Sequence, residues 1–252
     1  MSRPQQRSHA GTAATRRKAA HARHKAGNRV APKSDAKRPR QRNAIRTQDE
    51  ILAAAQVEFA RKGYDGARID AIVARARVSK NLIYHYFGSK QGLYIRVLER
   101  TYETLRQRQD AIPVQGLDPL SALTALCEET FQVFIDEPGI IVMLNTENLY
   151  RGRHIAKSPI IRQLYARLTS SLDAILRRGS DAGIFRPDID AVDLYISISG
   201  LGYFYLSNRF TLSILFDRDL KSVENLRRRK QHLVEMTLRF VCREPTRLET
   251  TI

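Results

Sequence analysis

The sequence has no tryptophan, three methionines and only two cysteines, Cys127 and Cys242. Two thiols permit at most one bridge. A disulfide framework and a cysteine-built zinc site are therefore excluded, and the usage suits a reducing compartment. No apolar run reaches the ~18 residues of a membrane span. The first residues are basic but lack the apolar stretch of a secretory signal. Signatures of catalysis are missing as well: there is no His-Glu-x-x-His, no glycine-rich phosphate loop and no Gly-x-Ser-x-Gly. Of six histidines, His9, His21 and His24 lie near the start, while His154 and His232 stand alone. These absences predict no enzyme, no metal and no cofactor.

Acidic residues are scarce in one place. Residues 1–42 hold 13 Lys and Arg against one Asp, whereas 113–252 hold 18 basic and 17 acidic side chains. A near-neutral body thus carries a strongly cationic arm, and such an arm seeks polyanions. Overall, 42% of residues are apolar, enough to fill a core and to exclude global disorder. Within 1–43, Val30 is the largest aliphatic side chain after Met1, so this segment is expected to be a disordered basic tail. It reads as a solubilising tail or misassigned start, as a non-specific DNA-binding arm, or as an organelle transit peptide.

Order is expected from Thr47. Thr47-Gln-Asp-Glu50 has the form of a capping box, and Ile51, Ala55 and Phe59 recur on one helical face over 48–62, with Gly63 as its stop. Ile69, Ile72, Val73 and Ala76 mark a second helix over 68–76. After a turn at Arg77 and Val78, Ser79 can cap a third over 80–87, and Gly88-Ser89 open a fourth over 90–112. Two short helices joined by a tight turn form a helix-turn-helix. The string Gly63-Tyr64, Ala67, Ile69, Ile72, Ala76, Val78-Ser79, Tyr84-His85-Tyr86-Phe87-Gly88-Ser89-Lys90 and Leu93 closely resembles the DNA-binding domain of the TetR family of bacterial regulators, over residues 46–95.

The resemblance implies that helix 3 enters the major groove. Ser79, Lys80, Asn81, Tyr84 and His85 are the expected readers, since helical spacing sets 80, 81, 84 and 85 on one stripe. Arg68 and Lys90 are the expected phosphate contacts, assisted by Thr47 at the helix 1 N-terminus. Two departures stand out. Arg68 replaces the usual capping Thr or Ser, and Arg77 replaces the usual glycine of the turn. If Arg77 is left-handed, it costs about 1 kcal/mol against glycine.

Residues 113–252 predict further helices over 119–136, 138–149, 159–181, 191–208 and 220–242, and nothing alternates at period two. The fold class is therefore all-α, a three-helix head followed by a larger helical body. The domain division is a tail at 1–43, a DNA-binding domain at 44–90, and a ligand-binding and dimerisation domain at 91–252. Helix 191–208 is apolar almost all round and is expected to be buried on every side. Its Ser197, Ser199, Gly200 and Gly202 would admit a close helix. The resemblance implies a homodimer joined through the last two main helices; a purely intrachain core is the alternative.

Glu147-Asn148-Leu149-Tyr150-Arg151-Gly152-Arg153-His154 and Ser207-Asn208-Arg209 resemble a subgroup that regulates nicotinate and pyrimidine catabolism. Asn145, Asn148, Arg151, His154, Tyr203, Ser207 and Asn208 are candidates to line an effector pocket, with Arg151 and His154 favouring an anion. Alternatively, Arg151, Arg153 and His154 form a solvated helix end. The reading is a cytoplasmic, nucleoid-associated bacterial repressor on double-stranded DNA, released from a palindromic operator by a small effector. The alternatives are an activator or architectural DNA-binding protein, and a helical ligand-binding protein or enzyme with a vestigial helix-turn-helix.

Overall fold

The computed structural model describes the backbone of residues 37–243 and the side chains of 43–243. The basic tail expected over 1–43 lies outside them apart from its last few residues. The elements in order are α1 (Lys37–Gly66), α2 (Ile69–Ala76), α3 (Lys80–Phe87), α4 (Lys90–Asp110), α5 (Pro119–Asp136), α6 (Pro138–Leu149), a 3-10 turn (Ile155–Lys157), α7 (Pro159–Asp181), α8 (Ala191–Ser207), α9 (Arg209–Leu215) and α10 (Val223–Val241). The only strand-like feature among the described residues is an isolated bridge between Phe185 and Cys242. The fold is all-α.

Local chemistry sets the helix starts. Asp118, Ser158, Asp190 and Ser222 each accept a backbone N–H from the first turn of α5, α7, α8 and α10. Proline opens α5, α6 and α7, where its missing N–H costs nothing. Gly183, at φ 72°, follows the end of α7. Phe185 then folds back over Gly179, whose missing side chain makes the space: a Cβ there would lie 1.9 Å from the ring.

Two apolar cores result. One joins Ile51, Ala55 and Phe59 of α1 to Ile72 of α2, Ile83 of α3 and Leu93 and Leu98 of α4, and is closed by Met143 of α6 and Ile161 and Leu164 of α7. The other packs α5, α7, α8 and α10 through residues such as Phe131, Leu172, Ile198 and Leu233, and takes in Leu105 of α4. Helix α4 therefore contributes to both. Cys127 and Cys242 are buried free thiols, and burial pushes that of Cys127 up to about 12.

Three expectations are corrected. Thr47 does not cap α1, because the helix is already under way before it. The Thr47 hydroxyl donates to the Asn43 carbonyl at 2.8 Å, and Glu50 pairs with Arg46 at 3.3 Å instead of reaching back. The hydroxyl of a mid-helix threonine has the i−4 carbonyl within reach, so the capping geometry loses. Helix α8 is not buried all round: Val192, Ile196 and Phe204 are exposed, and Gly200 lies between them on the same four-residue stripe. Helix α9 was not expected, since Arg209–Leu215 has no capping side chain at Asn208 and little periodicity.

Candidate nucleic-acid interface and effector region

The helix-turn-helix is assembled from short-range bonds. Arg68 occupies the N-cap of α2 without a side-chain cap bond. The buried Glu58 of α1 fixes the entry to the helix instead, accepting the N–H of Arg68 itself at 3.3 Å. Arg77, at φ 54° and ψ 43°, ends α2 in the left-handed region, and its N–H donates to the Val73 carbonyl. Ser79 Oγ accepts the Leu82 N–H at 3.3 Å and starts α3. Gly88, at φ 72°, ends α3, and Ser89 Oγ accepts the Gly92 N–H at 3.0 Å to begin α4. Gly92 is there because a Cβ would meet the Phe87 carbonyl oxygen at 2.1 Å.

Ile83 anchors one face of α3 in the core. Ser79, Lys80, Asn81, Tyr84 and His85 all lie exposed on the other side. Lys80 is paired with Asp70 of α2 at 2.8 Å, and that hydrogen bond and charge raise the ammonium pKa. Arg68 is exposed beside them. Lys90 behaves differently: its Nζ donates to the Asp65 carbonyl at 3.1 Å and lies 5.1 Å from the Tyr64 ring centre, tying α4 to the end of α1. Thr47 is half-buried, and no helix N-terminus accompanies it.

The seven effector candidates do not form one group. The Tyr203 hydroxyl of α8 donates to Asn145 Oδ1 of α6. Ser207 and Asn208 bond each other at 2.8 Å at the end of α8. Asn148 donates to the Leu144 carbonyl of its own helix, and Arg151 is exposed at φ 55°. His154 is fully buried, so it is no part of a solvated helix end. Its Nδ1 lies 2.9 Å from Glu147 Oε2, and Glu147 Oε1 accepts the N–H groups of His154 and Ile155 at 2.7 and 3.1 Å. The His154 ring packs 4.7 Å from Tyr64 and 4.8 Å from Tyr94. Tyr150 donates to the Asp65 carboxylate. The turn after α6 is thus a contact plate between the reading head and the body.

Sequence reasoning missed Arg106. It lies on α4, 1% exposed, with Nη2 donating to the Tyr195 hydroxyl at 2.6 Å. Its guanidinium carbon sits 4.7 Å from the Tyr165 ring centre and 5.2 Å from that of Tyr195. The visible signal was its spacing: Tyr94, Leu98, Tyr102 and Arg106 repeat every four residues, which puts a cation on a core stripe.

A reading head of this geometry under a helical body defines a helix-turn-helix transcriptional regulator. The pattern of the bacterial regulatory proteins of the tetR family matches residues 51–97, and that of the tetracyclin repressor-like C-terminal domain matches 119–237. The HTH-type transcriptional repressor NicS of Pseudomonas putida is 38% identical over 181 residues, 72% of this chain and 85% of that protein. The HTH-type transcriptional repressor SCO4008 of Streptomyces coelicolor is 34% identical over 149 residues, 59% of this chain and 72% of that protein. Among solved structures, the protein SCO4942 of Streptomyces coelicolor superposes with a TM-score of 0.59 at 29% identity, covering 79% of this chain and 99% of that one. The chain belongs to the TetR family of bacterial transcriptional regulators.

Proposed function

We propose that the chain is a homodimeric repressor that holds a palindromic operator until a small anionic effector releases it. The exposed polar stripe of α3, fixed from behind by Ile83, is the observation that carries this reading. Ser79, Lys80 and Asn81 meet base edges near the helix N-terminus, Tyr84 and His85 reach phosphates or thymine methyls, and Arg68 holds a phosphate. Lys90 and Thr47 act from the margin. The residues over 44–90 form the reading domain, those over 91–252 hold the effector and the dimer contact, and the site of action is the cytoplasm. Asn145 and Tyr203 form one wall of the effector region. His154 acts through the plate against Tyr64. Effector coupling of about 1–3 kcal/mol releases DNA 5- to 150-fold.

The test is a gel shift on the DNA upstream of the protein's own gene, against a scrambled duplex. The parent is expected to prefer its own upstream DNA. Asn81→Ala should relax preference at one base pair by about 1–3 kcal/mol. Equal affinity of the parent for both duplexes would sink the reading.

A further inference from the structure

The approach to the last helix carries a charge that the rest of the body lacks. Residues 218–232 hold six Lys and Arg against Asp219 and Glu224, although 113–252 as a whole is nearly balanced. Like charges this dense repel one another. Three of the arginines, Arg218, Arg228 and Arg229, line a pocket of about 190 Å³ together with His232, where α8 ends at Tyr205 and α10 begins, and no carboxylate lines it. Among the described residues, none of the three has a carboxylate in ion-pair range, whereas Arg108, Arg177 and Arg239 elsewhere each hold one.

The pocket is held in shape by its neighbours. Arg228 Nη2 donates to Asn225 Oδ1 at 2.8 Å, and Asn225 Nδ2 donates in turn to the Asp219 carbonyl at 2.6 Å. Arg229 Nε and Nη2 donate to the Leu201 carbonyl at 3.2 and 2.7 Å, and its guanidinium carbon lies 5.3 Å from the Tyr205 ring centre. The Tyr205 hydroxyl donates to the Leu220 carbonyl at 3.0 Å and fixes that ring. These bonds leave Arg228 Nη1 and Arg229 Nη1 without a protein partner among the described residues. Arg229 is half-buried, and burial pushes its pKa down, as it does for a cation short of negative charge. The Asp219 carboxylate accepts the Lys221 N–H at 2.9 Å, which ties it to its own turn.

We propose that this pocket is an oxyanion site for a phosphate group, either inorganic phosphate or the head of a small monoester. A phosphate group offers several acceptor oxygens and up to two charges, which suits guanidinium forks meeting it from more than one side. The volume lies well under the roughly 300–1,000 Å³ of sites for larger organic ligands, so the phosphate itself is what the pocket holds. The site shares no residue with the reading stripe of α3 or with the Asn145–Tyr203 wall of the effector region. Arg229 also borders the groove that contains Gly200 and Phe204, but Arg218, Arg228 and His232 do not.

The full chain is titrated calorimetrically with inorganic phosphate and with glycerol 3-phosphate, and with acetate and chloride at matched ionic strength. The parent is expected to bind both phosphates, and acetate and chloride far more weakly. Arg218→Gln and Arg228→Gln should each weaken phosphate binding by about 10-fold. Arg177→Gln, which removes an exposed cation from α7, should leave it unchanged. Tighter binding of the monoester would make it the source of the phosphate group, and tighter binding of inorganic phosphate would make the free ion the source. The inference is overturned if neither phosphate binds, if acetate or chloride matches them, or if Arg177→Gln weakens binding as much as the other two. It also fails if Arg218→Gln and Arg228→Gln bind phosphate as the parent does; lowered DNA affinity in those variants would then mean that the cluster touches the duplex. Should one arginine variant fail to fold, the other and the contrast among the four anions in the parent decide.

Discussion

Arg77 holds a conformation that glycine adopts without cost, and it does so in the turn that sets the angle between α2 and α3. Arg77→Gly is therefore expected to stabilise the fold by about 1 kcal/mol, read as a higher urea midpoint with an unchanged slope. The exposed side chain is also a cation beside the reading helix. The same variant should bind non-operator DNA more weakly at low salt. An unchanged midpoint would show that local hydrogen bonds already relieve the strain. At this scale, residues whose role is local were legible in the sequence. Ser79 caps α3 because a short hydroxyl three residues before an amide has few other options. Arg106 was not, because its surroundings come from Tyr165 and Tyr195, far along the chain. Nor was the burial of His154, which depends on a carboxylate one helix end away and on rings from α1 and α4.

Helix α3 presents its polar face already engaged, with Lys80 held by Asp70. The pair is exposed, so it contributes little to stability. Its effect falls on binding: Asp70 repels phosphate and competes for the ammonium. Asp70→Asn is expected to tighten operator and scrambled DNA by a few fold at low salt, and to raise the ratio between them, because the freed Lys80 meets base edges. A gel shift on both duplexes checks this, and an unchanged ratio would mean that Lys80 holds a phosphate instead. Elements with sharp chemical ends were legible. Proline starts marked α5, α6 and α7, and the apolar repeat of α7 runs unbroken from Ile161 to Ile175. The start of α1 was obscured because Thr47 and Glu50 fit a cap and a helix interior equally well. Helix α9 was obscured because its aromatic and β-branched residues favour no helix by themselves; it is formed where α8 ends at Asn208 and the chain continues directly.

At the scale of the molecule, several exposed apolar side chains lie together on α8 and α10. Val192, Ile196 and Phe204 of α8 lie exposed, as do Met236 and Phe240 of α10, and a cavity of about 550 Å³ between the two helices includes Gly200 and Phe204. A Cβ at Gly200 would meet nothing within 4 Å in a single chain. Gly200→Glu should therefore fold, at a cost of no more than an exposed helix substitution, and sediment as a monomer. A dimer that survives the change would move the interface away from α8. The basic arm makes its own prediction at this scale. If three or four of its cations engage duplex, removing residues 1–42 should shallow the dependence of log K on log salt by about 3 per subunit. The operator-to-scrambled ratio should hardly move. Salt titrations of full-length and shortened protein on both duplexes measure it, and an identical slope would mean the arm never touches DNA.

Because α4 lends side chains to both cores, the reading head is not a detachable cartridge. A fragment ending at Ser89 would lack Leu93, Val97 and Leu98, and Ile83 and Phe59 would face water where those residues now sit. Exchanging DNA specificity between this protein and a relative thus calls for a splice point beyond Tyr102, in the stretch of α4 where one core gives way to the other. Grafts cut at the apparent loop before α4 would inherit a head with no floor.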